Sequence, residues 1–210
     1  MPRRSYDQYC PLARALDVIG ERWAALILRE LLAGPRRYTD LHADLPGVST
    51  DVLAARLKEM ENDGLVSHRR LAPPAAAAVY ELTPRGWDLL PALMVLADWG
   101  AADLAERHPT DARRAHWFAI PLLRRLAELA APGTGVVDVR LDEGTFHILI
   151  NDSGPGYAHG PAEQPDARLT IDAPTCLALT QGSVSLHEMI KNGRIVVDGD
   201  SPLADALRSH

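Results

Sequence analysis

Six arginine and lysine side chains fall within residues 36–70, Arg36, Arg37, Arg56, Lys58, Arg69 and Arg70, with His68 beside the last two. Guanidinium and ammonium groups suit phosphate oxygens, Arg as a planar fork and Lys as a point charge. Between them lie Ser49, Thr50, Asp51 and Ala54, which are small or able to hydrogen-bond and could meet base edges. Singly, each arginine reads as a solvated surface charge; placed together around one segment, they read as duplex-DNA chemistry. Other chemistries find less support. The eight histidines are scattered without metal-ligand spacing, so no metal site is expected. No serine sits in a nucleophile elbow, and Gly154-Pro155-Gly156 lacks the lysine and helix of a phosphate loop. No catalytic residues and no cofactor are expected.

The segment that must position these groups is a helix from Ser49 to Gly64. Ser49 is a good N-cap, and Gly64 can take the left-handed conformation that ends a helix. Leu53, Leu57 and Met60 recur at helical spacing, with Val52 beside them, and form one buried stripe. The other face carries Thr50, Asp51, Ala54 and Lys58, with Arg56 near its edge. Three helices precede it: Cys10–Val18, Glu21–Ala33 and a short one opening at Arg36 and running to Leu45. After Gly64, the arms Leu65–Leu71 and Val79–Leu82 alternate and predict a β-hairpin with an alanine-rich tip. Thr83-Pro84 then opens a long helix, Arg85–Glu106, apolar on more than one side. Such a helix, about 30 Å long, is expected to be covered by a second copy of the chain; the alternative is burial against the C-terminal half.

The 210 residues suffice for one large or two modest domains, and His108-Pro109 marks the expected boundary, giving domains 1–107 and 108–210. The apolar and charged fractions, 47% and 24%, are those of a soluble globular protein. Net charge is −6, with −2 in residues 1–107 and −4 beyond, which excludes a uniformly basic nucleic-acid binder but not a local basic patch. Only Cys10 and Cys176 occur, so a reducing, cytoplasmic setting is expected. There is no signal-peptide pattern and no apolar run of membrane-spanning length. Two lysines against abundant arginine suggest a GC-rich bacterial genome.

The second half predicts a helix Asp111–Ala131 and strands Val136–Leu141, Thr145–Asn151, Arg168–Asp172 and Arg194–Asp198. The Gly- and Pro-rich stretch Asp152–Asp166 reads as a loop. Helices are expected at Pro174–Thr180, Ser183–Asn192 and from Pro202. The class is α+β, with an antiparallel or mixed sheet.

Helices, a recognition-like helix and a hairpin together form a winged helix-turn-helix pattern. Cys10-Pro11-Leu12, Gly20-Glu21-Arg22-Trp23, Leu31-Leu32 with Gly34, Arg37-Tyr38-Thr39-Asp40-Leu41 and Leu45-Pro46-Gly47-Val48-Ser49 follow, in order, the pattern of HxlR-type transcriptional regulators. So do Leu53, Arg56-Leu57, Met60-Glu61, Gly64-Leu65-Val66, Tyr80-Glu81-Leu82-Thr83, Gly86 and Trp99-Gly100. This resemblance covers residues 9–100. It implies a dimer with the first and the long helix at its interface and Ser49–Lys58 reading the major groove. With the placement of the basic residues, the DNA contacts are expected from Arg36, Arg37, Thr39, Ser49, Thr50, Asp51, Ala54, Arg56, Lys58, Arg69 and Arg70. The uncharged tip departs from that pattern, which moves the wing's role to Arg69 and Arg70. Cys10 matches a cysteine that some members use to sense oxidants or electrophiles; the alternative is an inert packed thiol.

Ala167-Arg168-Leu169-Thr170-Ile171, Leu179-Thr180-Gln181-Gly182 and Ile190 with Lys191-Asn192-Gly193-Arg194-Ile195 resemble the sterol-carrier-protein-like domain more loosely. That resemblance implies an apolar tunnel for a small hydrophobic ligand. Phe146, Ile148, Leu169, Ile171, Leu177, Leu186, Met189 and Ile190 could line it, or simply form the core. The combined expectation is an α+β chain: a winged helix-turn-helix followed by a sterol-carrier-like α+β domain. It is expected to act as a bacterial, cytoplasmic regulator that binds operator DNA as a homodimer, with a candidate ligand sensor at its C-terminal end. The rival readings are a lipid-like ligand carrier and a protein–protein module whose winged helix no longer binds DNA.

Overall fold

The structure, a computed structural model, describes residues 5–73, 76–105, 108, 110–129, 134–151 and 156–209. The chain divides into two compact units, residues 1–90 and 91–210. The expected boundary at 107/108 lies inside the second of these.

The first unit holds helices α1 (Pro11–Ile19), α2 (Ala24–Leu32), α3 (Tyr38–Asp44) and α4 (Thr50–Asn62). A hairpin of β1 (Val66–Arg70) and β2 (Ala78–Leu82) and a short helix α5 (Pro84–Trp87) complete it. Helix α4 has the expected bounds because both ends are specified locally. The Ser49 hydroxyl accepts from the Val52 N–H at 3.3 Å, and Gly64 has φ +68° just past the end. Leu53, Leu57 and Met60 are buried in a core that also includes Ile27, Leu28 and Leu31 of α2 with Leu41, Leu45 and Val79, all 2% exposed or less. The hairpin pairs antiparallel with Val66 opposite Leu82 and Arg70 opposite Ala78. The Arg36 and Tyr80 backbones exchange two hydrogen bonds of 2.8 Å, so β2 is bridged on its other side as well. Of the expected hairpin tip, Pro74 and Ala75 lie outside the described residues.

Two expectations in this half are corrected. Helix α2 begins at Ala24 rather than Glu21, because Trp23 takes a left-handed conformation, φ +79°, that no regular helix continues through. The single long helix Arg85–Glu106 is three pieces: α5, α6 (Leu90–Gly100) and a 3₁₀ turn Ala101–Ala105, with Glu106 outside the described residues. Pro91 explains the first break. It has no N–H for the Trp87 carbonyl, and its ring would clash with that carbonyl in a continuous helix.

The second unit contains most of α6 and a five-stranded mixed sheet in the order β5-β4-β3-β6-β7. The strands are β3 (Gly135–Leu141), β4 (Gly144–Ile150), β5 (Gly156–His159), β6 (Ala167–Ile171) and β7 (Ile195–Asp198). Only β3 and β6 run parallel. Alternation puts Val137, Val139, Phe146, Ile148, Leu169, Ile171, Ile195 and Val197 on one buried face. Helices α7 (Ala119–Leu129), α8 (Ala173–Thr180), α9 (Leu186–Lys191) and α10 (Pro202–Ser209) supply Leu122, Leu123, Leu179, Leu186 and Leu207 to that core. On β7, Arg208 donates to the carbonyls of Val197 and Gly199, which occupies part of that edge of the sheet.

Here too the loop expected over Asp152–Asp166 is corrected: its Gly156–His159 portion is strand β5, while residues 152–155 lie outside the description. A four-residue edge strand beginning at glycine has too short an alternation to signal itself. The helix expected from Asp111 begins as a 3₁₀ turn, Ala115–Phe118, and becomes α-helical at Ala119. Pro121 cannot donate to the Trp117 carbonyl, so the α-helical ladder stops there.

Candidate nucleic-acid interface

Helix α4 is held from three sides. At its start, the Tyr38 hydroxyl donates to the Thr50 carbonyl at 2.7 Å, tying α3 to α4. At its end, the Thr83 hydroxyl donates to the Gly64 carbonyl at 2.6 Å, tying α5 to the same corner. Along its flank, Arg56 pairs with Glu59 on α4 and, at 3.5 Å, with Glu21 before α2. With Leu53, Leu57 and Met60 buried, the outward face is Thr50, Asp51, Ala54, Ala55 and Lys58, all exposed; Val52, expected beside the buried stripe, is 40% exposed instead. Thr50, Ala54 and Lys58 stand four residues apart and form one ridge, with no bulky side chain to keep a flat partner away.

The expected contact residues divide into two groups. Arg37, Thr39, Thr50, Asp51, Ala54, Lys58 and Arg70 are exposed. Arg70 also donates to the Ala76 carbonyl at 3.4 Å. Ser49 is exposed but its hydroxyl is engaged in the cap. Arg36, by contrast, is 14% exposed and paired with Asp44, and Arg56 is 17% exposed and paired as above. Arg69 pairs with Glu81 at 2.6 Å. Strand alternation sets Arg69 and Arg70 on opposite faces of the hairpin, with Arg70 beside the stacked rings of His68 and Tyr80. The Arg69 hydrogen bond, above all, holds the Glu81 carboxyl below its ordinary range, and the same bond raises the Arg69 guanidinium. Both groups therefore stay charged near neutral pH. Sequence reasoning missed Tyr38, Glu21, Glu59 and Glu81 as partners of this surface. Its one available signal was the cross-strand diagonal that puts Glu81 within reach of Arg69.

In the second unit, Phe146, Ile148, Leu169, Ile171 and Leu186 are buried, and Met189 and Ile190 are half-buried. A cleft of about 390 Å³ lies beside α9, lined by Arg125, Leu179, Val184, Leu186 and Glu188 among others. Another, about 310 Å³, is lined in part by Ile171 with Arg140, Asp142, Asp172 and Arg194. Both have mixed polar and apolar walls. Among the residues expected to line a tunnel, Leu186 reaches the first cleft and Ile171 the second.

The two thiols differ. Cys10, just before α1, is half-buried. Cys176 is fully buried, and burial pushes its thiol well above the usual range, with the carboxylates of Asp172 and Glu143 adding to the shift. A maleimide is accordingly expected to modify one thiol per native chain, at Cys10, and the second only after unfolding; mass spectrometry of digested adducts checks this.

No helix among the described residues is long and apolar enough to cross a membrane. Residues 18–108 match the model of the HxlR-like helix-turn-helix family, and residues 122–209 that of the SCP-2 sterol transfer family. YvaP of Bacillus subtilis, an uncharacterised HTH-type transcriptional regulator, is 37% identical over 44% of this chain and 87% of its own length. The uncharacterised HTH-type regulator sll1512 of Synechocystis is 37% identical over 43% of this chain and 70% of its own. Among solved structures, the reduced form of the regulator YodB from B. subtilis aligns with TM-score 0.42 and 28% identity, over 48% of this chain and all of that one. The basic helix-and-hairpin surface thus sits in a segment shared with named regulators, and the chain belongs to the HxlR-like helix-turn-helix family of transcriptional regulators, joined here to an SCP-2-like segment.

Proposed function

We propose that this regulator binds operator DNA as a homodimer in the cytoplasm of a bacterium, with α4 in the major groove and the hairpin along the backbone. The observation that carries the reading is the face of α4. A thirteen-residue capped helix presents Thr50, Asp51, Ala54 and Lys58 outward, and Arg37 and Arg70 of the same unit are exposed as well. Small side chains admit the helix to a groove, polar ones read base edges, and the cations fix register on phosphates.

Dimerisation is supported by apolar side chains left exposed. Leu12 on α1 is 67% exposed, and Val95, Leu96 and Trp99 on α6 are 51–77% exposed. Isolated apolar residues are ordinary at surfaces, but a run of three on one short helix calls for a cover, and a second copy of the chain supplies one with two-fold symmetry. In the C-terminal unit, a small hydrophobic ligand is proposed to enter beside Leu186, Met189 and Ile190, bordered by the core residues Phe146, Ile148, Leu169 and Ile171. Cys10, the more accessible thiol, is proposed as the oxidant-sensing position.

The test is a gel shift with duplexes from upstream of the gene, with salt varied. A steep fall in affinity with salt is expected, and replacing Lys58 or Arg70 with alanine should reduce the log–log slope by about one each. A slope unchanged in both variants would remove these residues from the phosphate contacts. Absence of any shift in dilute buffer would remove DNA binding itself.

A further inference from the structure

Three of the six arginine and lysine side chains expected at DNA are already held by carboxylates of their own unit: Arg36 by Asp44, Arg56 by Glu59 and Glu21, and Arg69 by Glu81. Among the described residues, no ion pair engages Arg37, Lys58 or Arg70 with a carboxylate. The three masked arginines are not alike. Arg36 and Arg56 are 14% and 17% exposed, and their carboxylates join α3 and α4 to neighbouring parts of the fold. Arg69 is 48% exposed and Glu81 25%, on adjacent strands of the hairpin. The hairpin register is already fixed by five residue pairs and by the backbone bonds between Tyr80 and Arg36. An exposed pair of this kind adds little to folding, and a neutral acceptor would serve the hydrogen bond from Ser67 across the hairpin as well, so folding gives little reason for a charged acid at position 81.

Its chemistry gives one. The Glu81 oxygen sits 2.6 Å from Arg69 Nε, on the edge of the guanidinium that a phosphate oxygen would use. A phosphate oxygen takes that edge of Arg69 only by displacing the carboxylate, whose charge also offsets the guanidinium's pull on the backbone. Binding to arbitrary sequence draws almost wholly on such phosphate contacts, whereas a matched site adds base contacts. A masked arginine therefore weakens sequence-independent binding in proportion more than matched binding.

We infer that Glu81 is a specificity-determining residue, standing on Arg69 in place of a DNA phosphate and holding down binding to unmatched duplex. The inference rests on the DNA-binding reading above.

The test uses the full chain, a random-sequence duplex of about 25 base pairs and fluorescence anisotropy at several salt concentrations. Glu81→Gln keeps the side chain's shape and removes its charge. It is expected to tighten binding to the random duplex about tenfold at ~50 mM salt and to steepen the log–log salt slope by about one, the mark of one added phosphate contact. In an Arg69→Ala background the same change should have no effect. If Glu81→Gln leaves affinity and slope as they were while the native chain binds the duplex, the inference fails and the DNA reading stands. If the gain persists without Arg69, it is a general effect of net charge, and the inference fails. If neither the native chain nor any variant binds duplex in dilute buffer, the DNA reading falls and the inference with it.

Discussion

Replacing Gly86 with alanine is expected to destabilise the N-terminal unit by about 2–3 kcal/mol, the cost of forcing a methyl group into a closed site. Gly86 lies in α5, fully covered, with its N–H given to the Thr83 hydroxyl at 3.2 Å. A Cβ there would stand 2.3 Å from the Leu65 carbonyl oxygen and 3.0 Å from Leu82 Cδ2. The leucine can rotate; the carbonyl cannot, because it also accepts from the Thr83 N–H at 3.0 Å and opens the first hairpin strand. Relief has to come from moving α5 off the hairpin base, which loosens the Thr83–Gly64 bond at the end of α4. In a unit of about 90 residues each kcal/mol lowers Tm by roughly 4–8 °C, so a drop of about 10–20 °C is expected by calorimetry. Gly100→Ala is the control, since a Cβ at Gly100 meets nothing within 4 Å. Equal melting of the two variants would mean that α5 does not clamp the hairpin.

That clamp illustrates what was legible in the sequence and what was not. Helix α4 was readable almost to the residue, because its determinants are local: a hydroxyl cap, a stripe at helical spacing and a glycine stop. The hairpin was readable from alternation, and the C-terminal class from four of its five strands. The errors share a physical origin. Trp23 takes a left-handed backbone where a tryptophan has no intrinsic reason to be. Arg22 stacks on its ring at 5.3 Å and the ring lies against Gly47, so tertiary packing sets that conformation. Pro91 sits inside an apolar run strong enough to read as helix throughout. For the proposed DNA surface, the sequence placed the arginines but could not show which were occupied. Arg56 finds Glu21 across 35 residues and Arg69 finds Glu81 across 12. A cation in sequence is identical whether it awaits phosphate or already holds a carboxylate; only the fold distinguishes them.

Replacing Ala54 with glutamate separates stability from recognition most sharply. Ala54 is exposed in the middle of α4, and its methyl group contributes nothing to the Leu53–Leu57–Met60 stripe. Glutamate is a good helix former, so the change should alter Tm by no more than a degree or two. A carboxylate there would lie on the ridge between Thr50 and Lys58. It would pair with Lys58, four residues on, in the favourable orientation for a helix, and so remove one of the unmasked cations. It would also place a buried like charge beside phosphates and base-edge acceptors if α4 enters the groove. A carboxylate there is repelled by the phosphates and by the carbonyl and ring-nitrogen acceptors of the bases, and is accommodated only where a cytosine or adenine amino group stands opposite it. The combined cost is about 3 kcal/mol or more, a fall in operator affinity of over a hundredfold. Were Ala54→Glu to bind duplex within a few-fold of the native chain, α4 would not be the groove-reading helix, whatever the arginines do. Were it to abolish binding while the melting curve stayed in place, the ridge of Thr50, Ala54 and Lys58 would be fixed as the surface nearest the bases, because no other consequence of the substitution reaches beyond that face.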